Sequence, residues 1–352
     1  MPARPSFAIP DLRGPIARPA GRRSATPSLG QAYRPVDGPL VQAPGQYVLG
    51  VLQHGGDGDH DGPGPAPVVE VPACRVAMPV LAGAPGREVW FTDQPVHYGQ
   101  RHGLRYAYRD GLMFGVVRCP AGEPDRAAHD AYLDIVRLTR EHGTGPIFRV
   151  WNFFPDINGE QAGLERYRRF CLGRYEALSA AGYRLDADLP AASAVGTHGG
   201  DLWIAFLAGR GIFAQIENPR QVSAFRYPPA YGPRSPSFSR AIRFTTPRQD
   251  RLFISGTASI LGHRSHGTGD PALQCRTTAD NLQALLAAAG ADRLDRLGER
   301  ARWKIYLRHP RQLEPIREQL GTLLDPASPC LYVAGDICRA DLLLEIEGVV
   351  DL

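Results

Sequence analysis

Apolar residues along this chain follow strand and helix periods in an order that occurs twice. From residue 147, IFRVWNFF carries the β-branched and aromatic residues of a buried strand. GLERYRRFCLGRYEALSAA follows with helical spacing, and LPAASAVG and DLWIAFLAG read as two further strands. From residue 303, WKIYLR, LEPIREQLGTLL, PASPCLYVAG and DLLLEIEGVV repeat that order, and two related units in tandem are the simplest account. The second unit has a fuller front end. RLFISGTASI alternates like a strand, and TTADNLQALLAAAGA sets Leu282, Leu285 and Leu286 at helical spacing, with Thr277 or Thr278 as the cap. This order predicts an α/β (α+β) fold with helices packed on one face of each mixed sheet.

Two stretches break the pattern. Residues 1–35 are rich in Pro, Arg, Ser and Gly without apolar periodicity and read as a flexible tail, and HGGDGDHDGPGPAP at 54–67 reads as an exposed loop. The remainder divides into an N-terminal unit, 36–210, and a C-terminal unit, 211–352. With 352 residues, of which 43% are hydrophobic and 22% charged, the chain can bury a large core. Its net charge of +4 is spread along the sequence, which argues against nucleic acid as a partner. No run of about 18 apolar residues is present to span a bilayer, and the N-terminus lacks the apolar core of a secretory signal, so a cytoplasmic location away from membranes is expected. Six cysteines without a CxxC spacing fit reduced thiols.

Candidate chemistry sits in the last strand. Alternation in Leu342–Glu347 puts Leu343, Glu345 and Glu347 on one face, where two carboxylates lining a cleft would raise each other's pKa. Taken alone, the residues fit a solvated acidic face better, since Glu is seldom buried. His263 and His266 form an HxxH without a further ligand at suitable spacing, so no metal is expected. Glycine-rich phosphate loops are absent and no cofactor is expected.

Residues 246–352 resemble the small trimeric enamine and imine deaminases of the Rid (YjgF) family through LFISGTAS, NLQALLAAAGA, KIYLR and LLLEIEGVV. That family places an Arg before its last strand; here Ile337 or Cys338 takes that register, and Arg339 lies one position off. A closer resemblance, over roughly residues 95–352, is to the chorismatases, which fuse two Rid-like units. It is carried by RVWNFFPDINGE, GLERYRRFCLGR, PAASAVGT, ENPRQVSAFRYPPAYGPRSPSFSRA, ISGTASILGH and GDICRADLLLEIEG, in that order. The resemblance implies chorismate as substrate, loss of its enolpyruvyl group as pyruvate, a cleft lined chiefly by the C-terminal unit, Glu345 as general acid and no cofactor. Members of that family yield a cyclohexadiene diol carboxylate, 3-hydroxybenzoate, or both 3- and 4-hydroxybenzoate. The residue seven before the Glu, Cys338 here, matches the 3-hydroxybenzoate formers, whereas Ala258 matches the hydrolases. Cys338 has the firmer register, so 3-hydroxybenzoate is the expected product and the diol or mixed hydroxybenzoates are alternatives. A non-catalytic Rid-like binder of small acids is the alternative of another class.

Breaking an enol ether requires a proton on the terminal methylene carbon, and a carboxylic acid donates it at neutral pH only if burial raises its pKa. Chorismate carries two carboxylates, so Arg forks are expected from Arg168 and Arg174 on the helix or from Arg226 and Arg234 in the Pro-rich segment. Tyr167 shares a helical face with Arg174, while prolines fix the backbone around Tyr227 and Tyr231 as a cleft wall requires. Ser255 and Thr257 are candidates to orient water or a ring hydroxyl, and Cys338 to shape the pocket, although free cysteines are mostly small buried hydrophobes. Fused units can satisfy internally the interfaces that single units satisfy by trimerising, which is compatible with a monomer.

Overall fold

A computed structural model of the chain describes residues 27–55, 71–120 and 122–352. Strands β1 (Gly30–Arg34), β2 (Tyr47–His54), β3 (Ala73–Val76), β4 (Val80–Gly83) and β5 (Arg87–Thr92) come first. A meander of β6 (His97–Arg101), β7 (Leu104–Arg109) and β8 (Leu112–Cys119) leads to α1 (Pro124–Glu141) and β9 (Ile147–Pro155). The short ribbon β10 (Glu160–Gln161) and β11 (Leu164–Glu165), then α2 (Arg166–Ala180), β12 (Ala191–Thr197) and β13 (Leu202–Gly209) complete the first unit. The second has the meander β14 (Ile212–Ile216), β15 (Ala241–Thr246) and β16 (Gln249–Ala258), and the ribbon β17 (Ile260–Leu261) and β18 (Arg264–Ser265). It continues through α3 (Pro271–Ala288), β19 (Ala301–Leu307), α4 (Leu313–Gly321), β20 (Cys330–Ala334), β21 (Asp336–Ile337) and β22 (Leu344–Asp351).

The two units build seven-stranded sheets of one topology, β6-β7-β8-β13-β9-β12-β21 and β14-β15-β16-β22-β19-β20-β4. Each contains one parallel pair, β9 with β12 and β19 with β20. Their edge strands are exchanged: β21 from the second unit closes the first sheet, and β4, which precedes both meanders, closes the second. Helices α1 and α2 cover one face of the first sheet, where Tyr132, Ile135 and Phe170 pack on Ile204 and Phe206. Helices α3 and α4 cover the second, where Leu282, Leu285 and Ile316 pack on Leu344 and Ile346. The uncovered faces meet in a third core, and a small sheet, β1-β5-β2-β3, joins it through Leu49, Leu52 and Trp90.

Two expectations need correction. Gly30–Arg34, inside the stretch read as tail, forms β1 against β5 because Leu29 is buried and Gln31 is hydrogen-bonded to Glu88, a pairing with no apolar period to announce it. Residues 1–26 of that tail, and 56–67 of the expected loop, lie outside the described residues. Helix α3 begins at Pro271 with Asp270 as its cap, accepting from Leu273 N at 2.9 Å, so Thr277 and Thr278 are helix-interior residues. No helix among the described residues is long and apolar enough to cross a membrane.

Candidate active site

A cavity of about 360 Å³ opens where the two sheets meet, a size suited to a small organic ligand. Glu345 of β22 lies at its base, and both units form the walls. The first unit contributes Tyr167, Arg168 and Arg174 from α2 and Ala192–Ala194 from β12. The second contributes Tyr227, Tyr231, Phe238, Arg240, Gly256, Ala258 and the segment Cys338–Asp341. Most of the lining belongs to the C-terminal unit, and two of the four cations facing the cavity, Arg168 and Arg174, come from the first unit.

Alternation brings Glu345 and Glu347 to one face of β22, but the surroundings separate them. Glu345 is only 4% exposed, and a Cβ added at Gly256 would overlap its Oε1, so a side chain there would displace the carboxyl from this position. Gly256 belongs to a β-bulge at which Ser255 and Gly256 together face one residue of β22, since Ile254 pairs with Gly348 and Thr257 with Ile346. Burial pushes the Glu345 carboxyl up to about 8, with the Glu347 carboxylate adding to the rise and Arg149 and Arg240 partly offsetting it. Burial would raise Glu347 as well, but Lys304 and Arg149 hold it down at about 2. Mutual raising of the pair is therefore corrected: the cations leave Glu347 ionised, and the rise falls on Glu345 alone.

Cys338 is placed by the pairing of Ile337 with Val195 and by Arg308, whose guanidinium donates to the Ile337, Arg339 and Leu342 carbonyls at 2.8–2.9 Å and to Asp336 Oδ1 at 2.7 Å. Burial and the Glu345 carboxyl push the Cys338 thiol up to about 12, so it faces the cavity as a neutral group. Ala258 lines the same cavity and pairs directly with Glu345 across the sheet.

Four candidates do not line the cavity. Arg226 and Arg234 are exposed, stacked over Phe225 and Tyr175 respectively. The Ser255 hydroxyl donates to Ser239 O and accepts from Ala192 N, joining the two units, and Thr257 Oγ1 donates to Ser255 O, so neither is available to orient water. His263 and His266 go to separate partners, Tyr231 OH and Thr277 Oγ1.

Sequence reasoning missed Arg240 and Arg339 as cavity residues. Arg240 is buried beside Tyr227, donating to its hydroxyl at 2.8 Å, while its Nε has no partner among the described residues. Arg339 lies over the Tyr231 ring at 4.2 Å and donates to His263 O. The aromatic residues of the Pro-rich segment were a usable signal for both, because buried aromatic faces attract guanidinium groups. Arg168 pairs with Glu165 at 2.9 Å. Arg174 is 1% exposed, and its Nε and Nη2 have no partner among the described residues. A guanidinium so deeply buried is costly unless an anion meets it.

A buried acid held protonated near neutrality beside fixed Arg forks suits proton transfer to a small anionic molecule. Residues 88–208 match the family model described as Chorismatase FkbO/Hyg5-like, N-terminal. A 3-hydroxybenzoate synthase of Streptomyces hygroscopicus is 36% identical over 326 residues, covering 88% of this chain and 94% of that protein. A chorismatase of the same organism is 38% identical over 315 residues, covering 87% and 90%. The crystal structure of a chorismatase superposes with a TM-score of 0.82 at 34% identity, over 93% of this chain and 99% of that one. Identity at this level over nearly the whole length places the chain in the chorismatase family.

Proposed function

We propose that this enzyme converts chorismate to 3-hydroxybenzoate and pyruvate, with Glu345 as the proton donor. The observation that carries the reading is the buried, protonated Glu345 carboxyl at the base of a cavity whose wall holds the Arg174 guanidinium, with its Nε and Nη2 unpartnered among the described residues. Arg174 and Arg240 receive the substrate carboxylates, which supply the anions those buried forks lack. Glu345 delivers its proton to the terminal methylene carbon of the enolpyruvyl group, leaving an oxocarbenium ion and a carboxylate. Addition of one water to that cation gives a hemiketal, which collapses to pyruvate and a ring alcohol and returns a proton to Glu345. Loss of the other ring hydroxyl with a ring hydrogen expels one water and gives the aromatic acid, so no water is consumed overall. Stopping before that loss gives the dihydroxycyclohexadiene carboxylate, a second reading favoured by Ala258 directly opposite Glu345.

The test is product analysis on purified protein, with pyruvate followed by a coupled assay and the ring product separated as aromatic or diene. Glu345→Gln should remove pyruvate release by about a thousandfold or more while leaving the fold intact, and turnover near that of the wild type would end the proposal. Because the acid must be protonated, kcat/KM should hold below pH 8 and fall as pH rises through about 8.

A further inference from the structure

Behind the cavity runs a chain of buried charges that substrate binding does not use. Glu347 Oε1 accepts from Trp151 Nε1 at 2.9 Å and from Lys304 Nζ at 3.1 Å, and its Oε2 meets Arg149 Nη2 at 2.8 Å. Lys304 Nζ continues to Glu88 Oε2 at 2.7 Å, and Glu88 Oε1 accepts from Gln31 Nε2 at 2.7 Å. Arg149, Lys304, Glu88 and Glu347 are each 3% exposed or less, and none lines the main cavity. Such a cluster seldom stabilises a fold more than apolar residues of equal volume would. The first unit illustrates the apolar solution, with buried Leu207 opposite Arg149. Glu88 and Gln31 belong to the small sheet, outside both repeated units.

We infer that Glu88, Lys304 and Glu347 are positioning residues which set the proton affinity of Glu345 by fixing an anion two residues away on its own strand. Lys304, tethered at both ends, keeps Glu347 ionised, and Glu88 balances the lysine so that its positive charge does not reach Glu345 uncompensated. This rests on the reading of Glu345 as proton donor and extends the catalytic machinery into the small sheet. The groups facing Glu345 from neighbouring elements are Arg149 on β9, Arg240 ahead of β15, Tyr306 on β19 and Cys338 after β21. Tyr33 on β1 and His54 on β2 also face Glu347, and burial keeps both uncharged, raising the tyrosine and lowering the histidine.

The experiment is the pH profile of kcat/KM for the full-length protein and three variants. Glu347→Gln and Glu88→Gln each remove one negative charge, so the alkaline limb should move to lower pH, by about one pH unit or more for Glu347→Gln and less for Glu88→Gln. Lys304→Met removes a positive charge while Arg149 still holds Glu347 ionised, and should move the limb the opposite way. A loss of rate with the limb unmoved is what a merely structural role would give, and that result in folded Glu88→Gln overturns the inference even if the other variants do not fold. Glu345→Gln separates the two claims. If it retains activity, the proton-donor reading fails; if it is inactive while the limb stays fixed in Glu88→Gln, only the positioning role of the buried charges fails.

Discussion

The two units can be compared strand for strand at β13 and β22. In the first, Ala205 faces Trp151 and Leu207 faces Arg149 across the sheet; in the second, Glu345 faces Tyr306 and Glu347 faces Lys304. Strand order repeats, and so does the pattern of an aromatic opposite one position and a cation opposite the next. The strand residues differ, apolar in one unit and acidic in the other, and so does the neighbouring strand, because the bulge at Ser255 and Gly256 beside Glu345 has no counterpart in the pairing of β8 with β13. With no acid opposite it, Arg149 reaches across the junction to Glu347, so both units' cations converge on one carboxylate. The repeat supplies a scaffold twice, but two side chains decide which copy carries an acid, and the silent copy supplies part of its electrostatic support.

The largest expected effect comes from removing that loan. Arg149→Leu would give the first unit a wholly apolar pair and leave Glu347 with Lys304 alone, at a cost of about 3–5 kcal/mol in urea unfolding because half of a buried charge cluster loses its counterion. A cost below about 1 kcal/mol would show that the convergence of cations is incidental. A smaller and different effect is expected at Arg174, the first unit's contribution to the cavity. Arg174→Met should lower kcat/KM by about a hundredfold, near 2.7 kcal/mol, with a much smaller change in unfolding free energy, because the hydrogen bond to Tyr132 is lost together with a buried cation two of whose nitrogens have no partner among the described residues. Unchanged activity in that variant would remove Arg174 from substrate binding.

The repeat, the helix-on-one-face architecture and the face shared by Glu345 and Glu347 were legible because they are periodic. The front end of the first unit was passed over: only the second was read as having one, although Pro124 at a helix start and Tyr132, Ile135 and Val136 at helical spacing mark α1, and the meander β6-β7-β8 matches β14-β15-β16. What periodicity does not encode is partnership over long separations. Gln31 with Glu88, Glu88 with Lys304, and Ser255 with Ala192 are contacts between distant segments, and each changes what a residue can do. Ser255 illustrates the cost of reading a strand alone: alternation placed it near Glu345, but a bulge and a bridge to β12 turned its hydroxyl away.

The finest distinction between the units lies seven residues before the compared position. In the first unit this is His198, an exposed residue whose backbone N–H donates to Ala77 O; in the second it is Cys338, held against the cavity by the Arg308 clamp. The Cys338 thiol stays neutral, so on the proposed reading its influence on the product is one of shape and weak hydrogen bonding. Such effects are small, and a tenfold change in product partition needs only about 1.4 kcal/mol between competing barriers. Cys338→Ala should therefore keep pyruvate release within a few-fold of the wild type while shifting the ring product from 3-hydroxybenzoate toward the diol. A product ratio that does not move would transfer the choice to Ala258, where Ala258→Gly, opening space directly across from Glu345, should then change it.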